Sequence, residues 1–213
     1  MRLLNTILVC AVMMAPAALA QRWEFGGGVG GGFYTSRDIT SASGSVSANI
    51  QTNIAGSAWL DNNGRGHWGG ELRYDYQRGD LQLKQGGTQA NFDAETHGIH
   101  YDVLWHLAPS ESAVRPFVGA GAGIKVYHGT GKEVLFQPLS GFALLTKAQD
   151  VTPLVSVGGG IKFHVGGRWQ LRVEVHDFFT PFPTKVITPN LGAKVSGWIH
   201  DIVPMVGLSY VSN

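Results

Sequence analysis

Beyond residue 20, apolar side chains recur at every second position in one segment after another, and never hold helical spacing for more than a turn or two. From His67 to Gln77, Trp68, Leu72, Tyr74 and Tyr76 share one face, while Glu71, Arg73 and Asp75 share the other. From Gly98 to Leu107, Ile99, Tyr101, Val103 and Trp105 alternate with His100, Asp102 and His106. The same rhythm runs through Phe117–Tyr127, Val151–Val165, Arg168–His176 and His200–Tyr210. Trp23–Tyr34 and Ile50–Leu60 add a glycine-rich first strand and a softer second one, which makes eight.

The two faces identify the solvent on each side. A soluble ligand-carrying barrel keeps its apolar face inside. Here the polar face is sparse and rich in glycine, which fits the crowded inside of a narrow barrel better than a solvated exterior. Segments of about ten residues, apolar outside and polar inside, are the pattern of a transmembrane β-barrel. Closure into a ring is also what allows a sheet to cross lipid, because every backbone group is then paired. The predicted fold is therefore all-β: an eight-stranded antiparallel transmembrane up-and-down barrel.

Connection lengths orient it. Short links at 61–66, 108–115 and 166–167 alternate with long ones at 35–49, 78–91, 128–150 and 177–199. Periplasmic turns are tight and external loops long in such barrels. Trp23, Trp68, Trp105 and Trp169 fall near the short-turn ends, where an interfacial aromatic girdle belongs. Both termini are expected on the periplasmic side.

The first residues carry a different message. Met1-Arg2, the apolar run Leu3–Met14, Pro16 and Ala18-Leu19-Ala20 form a signal peptide, with cleavage between Ala20 and Gln21. The domain reading is thus 1–20 signal peptide and 21–213 barrel. Removal takes Arg2 and Cys10, leaving fifteen bases, fifteen acids and no cysteine. That balance gives nucleic-acid binding no electrostatic footing. An exported chain that does without disulfides fits the envelope of a Gram-negative-type bacterium, with the outer membrane as its destination.

Four segments carry a family resemblance: Arg115-Pro116-Phe117-Val118-Gly119-Ala120-Gly121, Val157-Gly158-Gly159-Gly160-Ile161-Lys162-Phe163, Trp169-Gln170-Leu171-Arg172 and Pro204-Met205-Val206-Gly207-Leu208-Ser209-Tyr210. Together they resemble the small OmpA/OmpX-like outer-membrane β-barrel proteins, over essentially the whole mature chain. The resemblance implies a monomer set in outer-membrane lipid and lipopolysaccharide, inserted by the barrel-assembly machinery. One departure is that Ser212 holds the place of the final aromatic residue that this machinery recognises, so assembly is expected to use a weaker end signal.

The polar face supplies the candidate site. Glu71 and Arg172 each lie three residues beyond a girdle tryptophan, on strands that run the same way on opposite walls. Glu71 should meet Arg172, and Arg73 should meet Glu174; Asp75, Asp102, Lys125 and Lys162 extend the network. Charges in a narrow lumen must pair or they are costly, so the expected role is a plug. His97 and His100 point to opposite faces of a strand and cannot share a metal ion, and His106 reads with His100 as polar lining. No cofactor, metal or catalytic residue is expected. Ser196 and His200, four apart in a loop, are a weak pointer to lipid A modification.

In loop 128–150, Val134-Leu135-Phe136 and Phe142–Leu145 flank Gln137–Gly141, which suggests a hairpin rising from strands five and six and available to a surface partner. The competing expectation is packing against loop 177–199 through Phe178, Phe179, Phe182 and Trp198. The function expected is structural or adhesion-like. A small porin-like permeability protein is the first alternative and a lipid A-modifying enzyme the second.

Overall fold

A computed structural model describes residues 22–63 and 66–212. The proposed signal segment, including Ala20 and Gln21, lies outside the described residues. Twelve strands fall within them: β1 (Arg22–Gly30), β2 (Phe33–Tyr34), β3 (Arg37–Ser41), β4 (Gly44–Asn63), β5 (Trp68–Gln85), β6 (Thr88–His106), β7 (Val114–Gly129), β8 (Ala143–Leu145), β9 (Gln149–Gly166), β10 (Trp169–Pro181), β11 (Ile187–Pro189) and β12 (Trp198–Ser212).

Eight of these close a ring in the order β1-β12-β10-β9-β7-β6-β5-β4, with β4 returning to β1. All the pairings are antiparallel, and the closure runs from Trp23 opposite Asn62 and Ser212 to Gly30 opposite Ala55 and Met205. The ring is the eight-stranded barrel that alternation implied. Its outward face is apolar: Leu72, Ile99, Tyr101, Val103, Val118, Val157, Val173 and Val206 are all well exposed to the surroundings of the chain. Glycine serves the tight end where β9 turns into β10. Gly167 there has φ +59, a left-handed conformation that a side chain would strain.

Two of the long connections are continued wall. β5 runs eight residues past Gln77 to Gln85, and β6 starts at Thr88, so 78–91 is a hairpin closed over Gly86-Gly87. β3 and the first part of β4 pair in the same way across 35–49. Along β5 the inward series Glu71, Arg73, Asp75 and Gln77 gives way, past Gly79, to Leu81 and Leu83. Along β6, inward Asp102 and His100 give way to Ala94, Phe92 and Ala90. Outside that same stretch lie Lys84, Gln89, Asn91 and Asp93, all exposed. The barrel thus rises beyond lipid into water, where a strand buries its apolar face and wets the other.

At the transition β4 shifts register between Thr52 and Ile54. Such a bulge swaps the faces: Val46, Ala48 and Ile50 point inward before it, Ala55 and Trp59 after it. Opposite it, a Cβ on Gly79 would lie 1.8 Å from the carbonyl oxygen of Gln51, so only glycine fits there.

The other two long connections fold over the open mouth. β8 pairs with β11, joining loop 128–150 to loop 177–199. Ala143, Leu145, Phe182, Val186 and Ile187 then complete one apolar core with Ile39, Val46, Leu81, Leu83, Phe92, Tyr127 and Ile199 of the wall. The hairpin expected within 128–150 is therefore corrected. Residues 134–136 are not a strand, and β8 takes its partner from the other loop. Phe182 is the covering aromatic that the sequence pointed to, whereas Trp198 stays exposed, and Phe178 belongs to a second cluster with Ala55, Leu154, Val203 and Met205.

On the outer face of the hairpin, Asp80 stands directly across from Asp93. Burial and the Asp93 charge raise the Asp80 carboxyl above its ordinary range. An acid raised in the folded state holds its proton more tightly there, so this pair weakens the fold as pH rises and ceases to do so in acid. Asp80→Asn should therefore raise unfolding stability by about 0.2–1 kcal/mol at neutral pH, and the gain should shrink in acid. Urea unfolding in detergent micelles at both conditions measures it.

Candidate functional site

The lumen is filled from the short-turn end upward by side chains of alternate residues on all eight walls. Lys162 of β9 reaches between Glu24 of β1 and Asp61 of β4, 2.6 Å from a carboxylate oxygen of each. Asn63 Nδ2 donates to the same Glu24 oxygen at 2.8 Å. Next along the barrel, Arg172 Nη1 lies 2.6 Å from Glu71 Oε2 and 3.2 Å from Asp61 Oδ2, and Arg172 Nε donates to Glu174. Arg73 donates to Glu174 through Nη2 and lies 3.4 Å from Glu71. Both pairings predicted across the barrel, Glu71 with Arg172 and Arg73 with Glu174, are present.

Trp59 sits against the two guanidinium groups. Its ring centroid is 4.9 Å from Arg73 Cζ and 4.7 Å from Arg172 Cζ, and its indole N–H donates to Ser209 Oγ at 3.1 Å. A flat aromatic face desolvates the cations while offering them its negative quadrupole. Farther up, the ring nitrogens of His100 lie 2.9 Å from Asp75 and 2.8 Å from Asp102. Arg73 Nη1 is 2.6 Å from His176 Nε2; a guanidinium only donates, so this histidine nitrogen accepts. Ser57 donates to Asp75, and Ser156 donates to Asp102 at 3.1 Å. At the top, Lys125 bonds Asp201, which also accepts from Gln77 at 2.6 Å, and the Lys125 ammonium lies 4.8 Å from the Tyr34 ring.

The eight predicted charges, Glu71, Arg73, Asp75, Asp102, Lys125, Lys162, Arg172 and Glu174, all point inward and are all buried. Arg172, Glu71 and Asp102 are 0% exposed, so neighbouring side chains enclose them on every side. The sequence reading missed Glu24, Asp61, Asp201, Trp59 and His176. Alternation puts His176 on the same face as Arg172 and Glu174, whereas Trp59, being apolar, is sent outward by the same rule. Glu24 lay in a strand read for its glycines, and Asp61 in a segment read as a turn.

Of the girdle residues, Trp68 and Trp105 are cross-strand partners, with ring centroids 6.5 Å apart on the outer face. Trp169 packs edge-on against Tyr210 at 5.4 Å, and Trp23 is half-buried at the same end. His100 and His106 face inward as expected, while His97 faces outward and bonds Tyr74 Oη at 2.8 Å. Among the described residues no group of three or more histidine or carboxylate side chains is arranged to hold a metal ion. His200 Nδ1 lies 3.0 Å from Asp177, and its backbone N–H donates to Thr35; among the described residues no hydrogen bond joins it to Ser196.

Comparison with known proteins places this architecture. The model of the outer membrane protein beta-barrel domain matches residues 6–185. The chain belongs to that family. Among solved structures it is similar to the outer membrane protein OprG from Pseudomonas aeruginosa, at 15% identity and TM-score 0.60 over 91% of this chain and 97% of that one. It is also similar to Neisserial surface protein A, at 10% identity and TM-score 0.53, with coverages of 88% and 96%. A third match is the outer membrane protease OmpT from Escherichia coli, at 8% identity and TM-score 0.48, with coverages of 90% and 97%. No curated protein matches. At these identities the likeness is one of fold alone; the family match supports an outer-membrane location.

The pairing in the lumen has a thermodynamic signature. Removing one partner of a buried ion pair strands the other charge and costs about 3–5 kcal/mol. Lys125 and Asp201 are the simplest pair to test, because Arg172 and Arg73 each serve several carboxylates. Lys125→Met alone should cost about that amount in micellar unfolding, and Lys125→Met with Asp201→Asn should cost measurably less.

Proposed function

We propose that this protein is a plugged outer-membrane barrel with a structural or surface-interaction role exercised through the folded cap at its long-connection end. The reading extends to its placement: a signal peptide removed after Ala20, both termini in the periplasm, the cap outside the cell, and a monomeric barrel set in lipid and lipopolysaccharide after insertion by the assembly machinery. The observation that carries it is the double seal of the lumen. Mutually bonded charges fill the part of the barrel within lipid, and above them an apolar core, roofed by β8 and β11, fills the part beyond it. A barrel sealed in both solvents leaves its outer surfaces as the place where specific work is done.

The porin-like alternative requires the seal to open. An ion moving through would have to part Arg172 from Glu71, Asp61 and Glu174 at once, and then pass Leu81, Leu83 and Phe92. The enzyme alternative requires a nucleophile and a base in reach of each other, and the His200 imidazole faces Asp177 instead of Ser196. We therefore assign no catalytic residue.

Single-channel recording of the refolded mature chain in planar bilayers tests the plug. No discrete openings are expected. Reproducible steps whose size changes on Glu71→Ala or Arg172→Ala would overturn the reading and make the charges a selectivity filter. Mass spectrometry of lipid A from cells with and without the protein tests the enzyme reading, and no mass change is expected.

A further inference from the structure

The cap carries a feature that neither the lumen nor the roof uses. Val134, Leu135 and Phe136 are 59%, 112% and 77% exposed, in an irregular segment that leaves β7 and rejoins the roof at Gln137. Leu191, on the other cap loop, is 102% exposed. Three consecutive large apolar side chains held in water are costly unless something covers them. The charges of the two cap loops are lopsided. Lys132, Lys147 and Lys194 are exposed on the two cap loops, against Glu133 as the exposed acid of those loops, while the Lys185 ammonium is held 3.4 Å from Asp150. Asp150 is buried, accepting the backbone N–H of Lys185 at 3.0 Å.

Strand addition at this place is closed off. The Gln137 amide donates to the Leu145 carbonyl at 2.8 Å and accepts its N–H at 3.0 Å, which occupies the free edge of β8. An acidic polysaccharide would answer the lysines but leave the apolar tip in water. An anionic bilayer answers both: apolar side chains enter the acyl boundary, lysines meet the headgroups, and an irregular backbone stays hydrated at the interface.

We propose that the tip Val134-Leu135-Phe136, with the lysines of the cap, is a docking surface for the anionic lipid bilayer of an opposed membrane. The inference rests on the reading that the cap is the outward-facing, interacting end, and it names the partner's chemistry.

The test uses the full mature protein in nanodiscs of neutral lipid, offered to immobilised vesicles of phosphatidylcholine alone or with phosphatidylglycerol. Binding should appear on the anionic vesicles, fall with salt, and drop about tenfold or more in Leu135→Ser/Phe136→Ser. Each of Lys132→Gln and Lys147→Gln should weaken it about fivefold. All four side chains are exposed, and unchanged heat-modified gel mobility confirms that the variants fold. Equal binding to neutral vesicles, or serine variants that bind like the parent, would overturn the proposal. Binding that survives the serine pair and is competed by a soluble polyanion would assign the lysines to a polysaccharide instead. The underlying reading is checked separately. The mature chain has no cysteine, so Leu191→Cys should react with an impermeant maleimide on intact cells. Labelling only after lysis would refute the outward cap while leaving the vesicle result to stand on its own.

Discussion

A backbone that enters lipid has no water to satisfy its amides, and that constraint generates the rest of this molecule. Every N–H and C=O along the span must find a partner on a neighbouring strand, so the sheet has to close on itself. Closure with eight strands leaves an interior only about as wide as the side chains that line it. The outward face belongs to lipid and is apolar, so polar residues have one place to go. They face one another across the lumen, and their charges must be balanced there. The interlocked arrangement of Arg73, Arg172, Trp59, Glu71 and Glu174 is the consequence.

The same wall obeys a second rule once it leaves the membrane. Above Gly79 the outer surface meets water, and the inward face of β5 changes from Asp75 and Gln77 to Leu81 and Leu83 without any break in the strand. In the sequence this is an alternation whose phase inverts: apolar residues occupy even positions through Tyr76 and odd positions from Leu81 onward. Read strand by strand, the inversion resembles an end of order, and the stretch 78–91 reads as a loop. Read as a change of solvent, it gives both the continued strand and the level at which lipid stops. The bulge at Thr52–Ile54 and the glycine facing it lie in that same zone, where the register adjusts between two kinds of interior.

The ring itself was legible because its signal is local and repeats every two residues. Glu71, Arg73, Arg172 and Glu174 could be paired in advance because tryptophans at the strand ends supplied a common ruler. What escaped lacked such a ruler. Trp59 is itself apolar, so the rule that sends apolar side chains outward misplaces it. Asp61 lies beyond the predicted end of its strand, at a position read as turn because Asn62, Asn63 and Gly64 follow it. His176 was assigned to the inner face, but its bond to Arg73 depends on how far one long side chain reaches across the barrel.

The cap resists sequence reading for a deeper reason. β8 and β11 are three residues each, and they pair across more than forty residues of chain, so nothing within either loop announces the partner. Within loop 128–150 the local pattern favours a hairpin, with two apolar runs flanking a turn. The tertiary solution wins because the open mouth of the barrel presents Ile39, Leu81, Leu83 and Phe92, whose burial no free-standing hairpin could provide. Ala143 and Leu145 are drawn down onto that core, while Gln137 seals the strand edge that results. Val134, Leu135 and Phe136, the other arm of the expected hairpin, are left without a strand to join. Their exposure is thus a product of closing the barrel: the residues that roof the lumen are taken from one arm, and the apolar arm that remains is turned outward.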